Sequence, residues 1–330
     1  MDRRIKIALV APKTKWWPYH IYKKLENVLS KQGFEVEFMH SISGYIKAHF
    51  KRCDCVLSVL PFLFRPLRTR KYYFNPRGNW EIEKHKKTIG NKLQYLSKHN
   101  LKIADKIILP SLFLADKLWF RHTYEKKIVI MPNFIDCNEY NWHIRESLQQ
   151  KLHIITVTSF KFYKKWESIL SLGNVIKNVG KLLNKEIAWT IIGNDTSENF
   201  KSIHKKFEEI EFSKNTHIDW KWWMNKEQII QELGKNDIFL YRTGLDNFPT
   251  IVLEGMASGL VCLTNNFESF RYFLPSFVIS NTEKEITEKL VNIVNNYNKE
   301  YSKKCLEYVK QYDESVIIKD LIDLIRKDVS

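Results

Sequence analysis

Long apolar runs are missing from this sequence of 330 residues. No stretch of about 18 or more apolar residues occurs, so we expect no membrane-spanning helix. The first ten residues pass directly from charged side chains into an apolar strand pattern, without a signal-peptide cleavage site. We therefore expect a cytoplasmic protein, which at most touches the inner face of a membrane.

Cysteine and metal-ligand patterns are also sparse. The ten histidines show no metal-ligand spacing, and Asp-x-Asp does not occur, which argues against a metal-bridged diphosphate. The cysteines are odd in number and scattered, so they match neither a disulfide framework nor a zinc site. We expect reduced thiols at all five of them, Cys53, Cys55, Cys137, Cys262 and Cys305.

Positive charge, in contrast, is abundant and unevenly distributed. Hydrophobic residues make up 44% of the chain and charged residues 27%, a globular composition long enough for two domains. Residues 1–140 contain 27 Lys and Arg against 12 Asp and Glu, a net charge of +15, whereas the remainder carries +1. A general lysine bias would have charged both parts alike. The asymmetry indicates an anionic partner for the first part: a membrane surface, a phosphorylated acceptor or a nucleic acid.

The segment 246–259 joins two short apolar runs of strand length, 237–241 and 260–264. Within it, Pro249 suits the first residue of a helix, because its missing N–H is no loss there. Gly259 suits the end of that helix. The segment therefore predicts strand, loop, a helix of about three turns, and strand.

The start of this helix predicts an anion site. Its first amides have no intrahelical acceptor, and the helix macrodipole adds positive charge there. Asp246 in the loop and Glu254 in the second turn would border the anion and bind neutral hydroxyls. Spacing alone also allows a solvated Asp and a capping Glu. The residues predicted to surround the anion are Asn247, Phe248, Pro249, Thr250 and Ile251.

The sequence of 246–259, Asp-Asn-Phe-Pro-Thr-Ile-Val-Leu-Glu-Gly-Met-Ala-Ser-Gly, resembles the Glu-x7-Glu signature of glycosyltransferase family 4. That family comprises retaining nucleotide-sugar enzymes. The resemblance implies an α/β protein with the GT-B fold, in which two Rossmann-like, doubly wound parallel-sheet domains face a cleft. It also implies that Asp246, in place of the first Glu, holds the transferred sugar, and that Glu254 holds the ribose of the nucleotide.

The first domain begins like a nucleotide-binding fold. Residues 4–11 and 33–38 have the apolar pattern of buried parallel strands, and 19–31 have that of an amphipathic helix. The pattern Ala-Asp-x-Ile-Ile-x-Pro-Ser at 104–111, followed by Pro-Asn at 132–133, is the second match to the family. The resemblance implies a first domain of residues 1–138, a donor-binding domain of 139–313, and a last helix 314–330 that crosses back to the first domain.

Two stretches of the first domain have a composition typical of membrane interfaces. Trp16 and Trp17 lie beside lysines in a glycine-free loop, although ordinary packing under a loop fits them equally. Residues 61–74 mix bulky apolar side chains with Arg and Lys. An RNA-stacking patch is the alternative for the second stretch, but no nucleic-acid module is recognised and we expect no nucleic acid.

The stretch 75–80 lies where the family often carries a His-Gly-Asp-Trp turn facing the active site. Arg77 takes the His position there; its guanidinium suits a phosphate or carboxylate, and a plain surface arginine is the alternative. The predicted acceptor-side residues are Arg77, Asn79, Trp16 and Trp17.

In the second domain, the resemblance assigns the donor diphosphate to the loop after the strand 154–160. Lys164 matches the family's lysine, whereas Ser159 occupies the place of its arginine, so Lys161 or Lys165 would supply the lost charge. The next strand ends at Gly193 and Asn194, where the missing side chain of glycine permits close approach to a ligand. Trp222, Trp223 and Met224 are the candidates for the wall of the nucleobase site, and core packing is the alternative for either Trp.

Together these features predict a retaining glycosyltransferase with Asp246, Glu254 and Lys164 as catalytic residues. It would move a hexose or related sugar from a nucleotide-diphosphate sugar to a hydroxyl of a lipid-linked or other anionic glycan at a membrane surface, without a metal or other cofactor. The alternative is a GT-B scaffold that binds a nucleotide sugar or an anionic partner without turnover. Ser159, Asp246 and the glycine-free first loop favour that alternative.

Overall fold

The computed structural model of the chain describes residues 3–13, 17–76, 89–140, 143–160, 163–193 and 198–329. It divides into two compact units, Met1–Pro132 with Ser315–Ser330, and Asn133–Glu314. Over the described ranges, no helix combines the length and the apolar character that a membrane crossing needs. Several predicted site positions lie outside the described residues, namely Trp16, the side chain of Trp17, Arg77, Asn79, Lys161 and Asn194.

The first unit is built on a six-stranded parallel sheet in the order β2-β1-β3-β4-β5-β6. Of its inner strands, β1 and β5 are nearly continuous apolar runs, because helices cover both faces of a parallel sheet. The strands are β1 (Lys6–Val10), β2 (Glu35–Met39), β3 (Cys53–Ser58), β4 (Thr69–Phe74), β5 (Lys106–Leu109) and β6 (Ile128–Ile130). The helices are α1 (Trp17–Lys31), α2 (Ile42–Phe50), α3 (Ile89–Ile103), α4 (Phe113–Lys117) and α5 (Arg121–Tyr124).

The stretch 61–74 differs from its sequence interpretation as one lipid-facing surface. Its second half is strand β4, and Tyr72, Tyr73 and Phe74 are buried in the sheet. Aromatic residues pack well on a pleated, buried strand, so their bulk here serves the core. Only residues 63–67 of this stretch present large apolar side chains to solvent.

The second unit contains another six-stranded parallel sheet, in the order β12-β11-β10-β7-β8-β9. Its strands are β7 (Leu152–Thr158), β8 (Ile187–Gly193), β9 (Thr216–Lys221), β10 (Ile238–Tyr241), β11 (Val261–Asn265) and β12 (Ile279–Ser280). Alternate residues of β7 and β10 belong to two separate apolar clusters, one on each face of the sheet. The two parallel sheets confirm the predicted α/β class.

The helices of the second unit are α6 (Tyr163–Leu182), α7 (Glu198–Glu208), α8 (Lys226–Gly234), α9 (Thr250–Ala257), α10 (Glu283–Asn295) and α11 (Glu300–Val309). Short 3-10 helices occur at Glu125–Lys127, Cys137–Glu139, Glu268–Tyr272, Ser276–Val278 and Lys310–Tyr312. The last helix, α12 (Glu314–Val329), begins in the second unit and continues in the first. There, Tyr73 donates a hydrogen bond of 2.7 Å to Asp328 and Arg70 donates one of 2.8 Å to the carbonyl of Val329.

Residues 133–138, which the sequence prediction assigned to the first domain, are hydrogen-bonded within the second unit. The amide of Ile135 donates to the carbonyl of Tyr312 at 3.1 Å, and the amide of Glu314 donates to the carbonyl of Ile135 at 2.8 Å. The side-chain amide of Asn133 donates to the carbonyl of Phe248 at 3.0 Å. These bonds hold Ile135 against the start of α12 and Asn133 against the segment that precedes α9.

Candidate functional site

The second sheet has a topological switch point between β7 and β10. From β7 the chain continues outward through β8 and β9, and from β10 it continues outward on the other side through β11 and β12. Ligands of open parallel sheets bind outside the carboxyl ends of the strands at such a point. The residues that follow Thr158 and Tyr241 are therefore the first candidates for a binding site.

Helix α9 starts just beyond this point and its first turn is open. Pro249 is the N-cap residue, with φ −74° and ψ 111°, so the helix begins at Thr250 and not at Pro249 as predicted. The residue before Pro249 is held on two sides: the Phe248 ring stacks on Phe273 with centroids 3.9 Å apart, and the Phe248 carbonyl accepts a hydrogen bond from Asn133. No side chain caps the helix, which leaves the first amides available to a ligand.

The end of α9 follows the prediction. Gly259 has φ +73°, a conformation that residues with a side chain rarely adopt, and a Cβ there would overlap the carbonyl oxygen of His143. The chain then enters β11 directly. The position and direction of α9 are therefore fixed at both ends by backbone geometry.

Asp246, in the loop before α9, is held by three partners. Lys165 places its Nζ 2.6 Å from Oδ1, Tyr241 donates a hydrogen bond to Oδ2, and Ser269 donates one of 2.6 Å to the backbone carbonyl. Tyr241 is fully buried, and burial together with the charge of Asp246 raises the pKa of Tyr241 well above its usual value, so it remains a donor. Each carboxylate oxygen keeps a second lone pair, with which it can accept a bond from a ligand hydroxyl.

Two lysines lie in the first turn of α6, where cations oppose the helix macrodipole. Lys165 is neutralised by Asp246. The exposed ammonium of Lys164 has no hydrogen-bond or ion-pair partner in the described part of the chain. Its Cβ lies close to the loop before α9, 3.5 Å from where a Cβ on Gly244 would be. An unpaired cation is therefore available beside the switch point.

Buried polar atoms without a partner also gather here. Thr158 Oγ1, Arg242 Nη1 and Asn247 Oδ1 form no hydrogen bond with any described residue. Strands β10 and β7 pair in parallel, so Arg242, directly after β10, and Thr158, the last residue of β7, lie at the same edge of the sheet. Buried polar atoms nearly always have partners, so unsatisfied groups at a switch point are suited to bind a polar ligand. The sequence analysis did not include Arg242, although an arginine directly after a buried strand is a recognisable signal.

Glu254 projects from the second turn of α9 and is partly buried. Hydrogen bonds from the side chains of Thr250 and Tyr140 hold its carboxyl. Burial raises the pKa of Glu254, and the charge of Lys226 opposes the shift. The helix positions this group because Val252, Leu253 and Met256 anchor the opposite face in the core.

The other predicted donor-side residues lie at the ends of neighbouring strands. Ser159 directly follows β7 and is partly buried, and Met224 lies after β9, packed on the apolar cluster. Gly193 ends β8, but the space beside it holds the ring of Phe160, which a Cβ would overlap. Packing thus accounts for this glycine without a ligand. Among the described residues, no group of three or more His, Cys, Asp or Glu is arranged to hold a metal ion.

The first unit has a cavity of about 700 Å³ at its own switch point, between the carboxyl ends of β1 and β3. This volume lies in the range of small-molecule pockets. The polar side chains in its wall include Lys13, His40 and Ser41, and His40 Nδ1 is buried without a partner among the described residues. The rest of the wall is mostly apolar and includes Ala11, Pro12, Met39, Ile42, Tyr45, Leu60 and Pro61.

Comparison with known proteins identifies one matching family and many solved structures with a similar fold. Residues 144–312 match the family described as "Glycosyl transferases group 1". No curated protein matches the chain. A sucrose-phosphate synthase from Thermosynechococcus elongatus is 11% identical with a TM-score of 0.74, over 98% of this chain and 99% of that one.

Two further solved structures are similar over nearly their whole length. A glycosyltransferase from Rickettsia africae ESF-5 is 13% identical with a TM-score of 0.67, over 99% of both chains. Anabaena HepE, solved with UDP and glucose, is 11% identical with a TM-score of 0.67, over 98% of this chain and 100% of that one. At these identities the likeness shows the fold, which is GT-B.

Proposed function

Because this chain belongs to the group 1 glycosyl transferases, we propose that it is a retaining enzyme of family 4. It transfers a hexose or related sugar from a nucleotide-diphosphate sugar to a hydroxyl acceptor without a metal ion. The observation that carries the proposal is the switch point of the second unit. An open helix start, an unpaired lysine and an unsatisfied arginine lie there with two held carboxylates.

The diphosphate of the donor would bind at the open first turn of α9. Lys164 adds an exposed, unpaired positive charge, and Arg242 adds a guanidinium whose Nη1 has no partner among the described residues. Such fixed donors stabilise the negative charge that develops on a leaving diphosphate. Arg242 thereby offsets Ser159, which stands where family 4 carries an arginine, and supplies the planar fork that a lysine lacks.

The two carboxylates would bind the hydroxyls of the donor. Asp246, fixed by Lys165 and Tyr241, accepts hydrogen bonds from the transferred sugar. Glu254, on the second turn of α9, accepts them from the ribose, and Met224 borders the base. The acceptor hydroxyl oxygen forms the new bond to the anomeric carbon on the face from which the diphosphate leaves. The bond from that carbon to the diphosphate oxygen breaks, and the leaving diphosphate takes the acceptor proton.

The acceptor would enter over the first unit, whose sequence carries most of the positive charge. The apolar cavity at the end of β1 and β3 suits an acceptor with an apolar portion, and Lys13 and His40 offer polar contacts at its wall. These features support a lipid-linked or other anionic glycan that is used at a membrane surface.

A panel of UDP-, GDP- and ADP-sugars scored by thermal shift tests the donor assignment. One nucleotide should stabilise the protein selectively, because a ligand at a hundred times its dissociation constant adds about 2.7 kcal/mol to the stability. UDP-glucose is the first to try, since HepE was solved with UDP and glucose. No stabilisation by any of the sugars would contradict the proposal, and binding without product formation would contradict transfer.

A further inference from the structure

Helix α2 turns a row of apolar side chains to the solvent. Ile42, Ile46 and Phe50 are spaced four residues apart, so they lie on one face, and each is more than half exposed; Ile42 reaches 83%. The buried residues of the helix are Ala48 and His49. A surface helix normally directs its apolar row to the core, which makes this exposed row unusual.

The loop after β3 extends the same surface. Leu63 and Leu67 are 63% and 64% exposed, and Phe64 is partly exposed. The Phe64 ring lies 4.7 Å from the His49 ring and 6.4 Å from the Phe50 ring, centroid to centroid. We call the six exposed residues the α2–loop surface; they are Ile42, Ile46, Phe50, Leu63, Phe64 and Leu67.

The loop is held in place by hydrogen bonds along its length. Buried Asn100 bonds both backbone groups of Phe62, accepting from the amide at 2.9 Å and donating to the carbonyl at 2.7 Å. Arg65 donates to Asp105 at 2.8 Å, and the amide of Leu67 donates to the carbonyl of His49 at 2.8 Å. The backbone that carries these apolar side chains is therefore already fixed, so binding would cost little further loop entropy.

Two arginines lie at one end of this surface. Arg52 follows the end of α2 and Arg68 follows Leu67, and the amide of Cys53 donates to the carbonyl of Arg68 at 3.3 Å. Both side chains are exposed and have no partner among the described residues. Lys47, on the same helix, differs because it is paired with Glu37 at 2.7 Å.

We propose that the α2–loop surface docks on an anionic lipid bilayer. The apolar side chains would enter the boundary between headgroups and acyl chains, and Arg52 and Arg68 would meet lipid phosphates. A second copy of the chain fits less well, because a two-fold interface would place this surface against itself, and none of the six apolar residues that define it offers a carboxylate to Arg52 or Arg68. Ile42 also lines the cavity of about 700 Å³, so docking brings the rim of that cavity to the lipid.

Vesicle co-sedimentation of the full chain tests the proposal, with phosphatidylcholine vesicles prepared with and without phosphatidylglycerol. Phe50→Ser and Leu63→Ser should each lower the partition coefficient roughly fivefold to tenfold, as expected for apolar area that no longer leaves water. The matched control is Leu182→Ser in the second unit, because Leu182 is 63% exposed, as Leu63 is. Arg52→Gln with Arg68→Gln should remove binding that depends on the anionic lipid and on low salt.

Binding that survives all these changes, or falls equally in the Leu182→Ser control, would overturn the proposal. So would sedimentation velocity showing a dimer that Phe50→Ser and Leu63→Ser dissociate, with no vesicle binding by the native chain. The docking proposal rests on the proposed function in one respect only: that function explains why the rim of the cavity should lie at the lipid surface. If these substitutions reduce vesicle binding and Leu182→Ser does not, the docking surface is supported, even where no nucleotide sugar stabilises the protein. In that case only the proposed function fails.

Discussion

Replacing Glu254 by glutamine separates ligand binding from stability at the proposed donor site. The carboxyl of Glu254 is held by Thr250 and Tyr140, and burial raises its pKa above the ordinary value of 4.5. Glutamine has the same shape and keeps one acceptor oxygen, but it carries no charge to bury. The substitution therefore removes the ionised group without opening a cavity.

The expected effect on the free protein follows from the direction in which folding moves the pKa. A group whose pKa is raised on folding stabilises the protein below its unfolded pKa, and this contribution is lost as the pH rises through the folded value. Above both values, each tenfold weakening of the acid in the folded state costs that state about 1.36 kcal/mol. Glu254→Gln should therefore hold or increase the free energy of unfolding at pH 8, and its advantage over the native chain should shrink as the pH falls toward 4.5.

The expected effect on the donor has the opposite sign. A hydrogen bond to a charged group contributes about 1.5–3 kcal/mol, so losing the carboxylate contact with the ribose should weaken donor binding about tenfold to a hundredfold. Urea unfolding at pH 5 and pH 8 measures the first quantity, and calorimetric titration with the nucleotide sugar measures the second.

Glu285→Gln is a control with the reverse sign. The backbone amide of Asn281 and the ammonium of Lys289 lower the pKa of Glu285. Its stabilising contribution is present above the unfolded pKa and is lost as the pH falls, so Glu285→Gln should destabilise the protein at pH 8 and leave donor affinity unchanged. An unchanged donor affinity in Glu254→Gln, or a loss of more than about 1 kcal/mol of stability at pH 8, would refute the reasoning.

Two further substitutions probe the partners of the site. Tyr241→Phe leaves Oδ2 of half-buried Asp246 without its donor, so urea unfolding should show a loss of about 1–3 kcal/mol and turnover should fall; unchanged values of both would show that the bond does not position Asp246. Arg242→Gln should weaken donor binding about tenfold without lowering the free energy of unfolding, because Nη1 has no partner among the described residues. The control is Arg271→Gln, an exposed arginine bonded to Asn266, and an equal loss of donor affinity there would contradict a specific role for Arg242.

The order of helices and strands could largely be predicted because parallel strands are buried on both faces and so appear as continuous apolar runs. The runs at 4–11 and 154–160 correspond to β1 and β7, with ends that differ by a few residues. Strand β4 was missed because Arg70 and Lys71 interrupt its apolar pattern. The second compact unit begins at Asn133, six residues before the predicted boundary, since the bonds of Ile135 to Tyr312 and Glu314 join segments far apart in the sequence.

The positions of the predicted site residues follow from the sequence where one continuous segment fixes them. Asp246 and Glu254 are tied to the strand, loop and helix of one continuous segment, so spacing is sufficient to bring them to one helix start. The pairing of Lys165 with Asp246 depends on the adjacency of β7 and β10, which the order of elements in the chain does not reveal. The buried, unpartnered Nη1 of Arg242 is likewise a property of the packed sheet.

The apparent losses relative to family 4 are offset within the proposed donor site by neighbours in space. Ser159 removes an arginine after β7, but β10 lies directly beside β7 and is followed by Arg242, so positive charge remains at the same edge of the sheet. Asp246 is one methylene shorter than glutamate, and Lys165 and Tyr241 fix its carboxylate at both oxygens. Relative to the family 4 sequence pattern, Ser159 and Asp246 are two departures. In space, however, the cation of Arg242 and the oriented carboxylate of Asp246 follow the end of β10. We therefore expect an active transferase rather than an inactive scaffold.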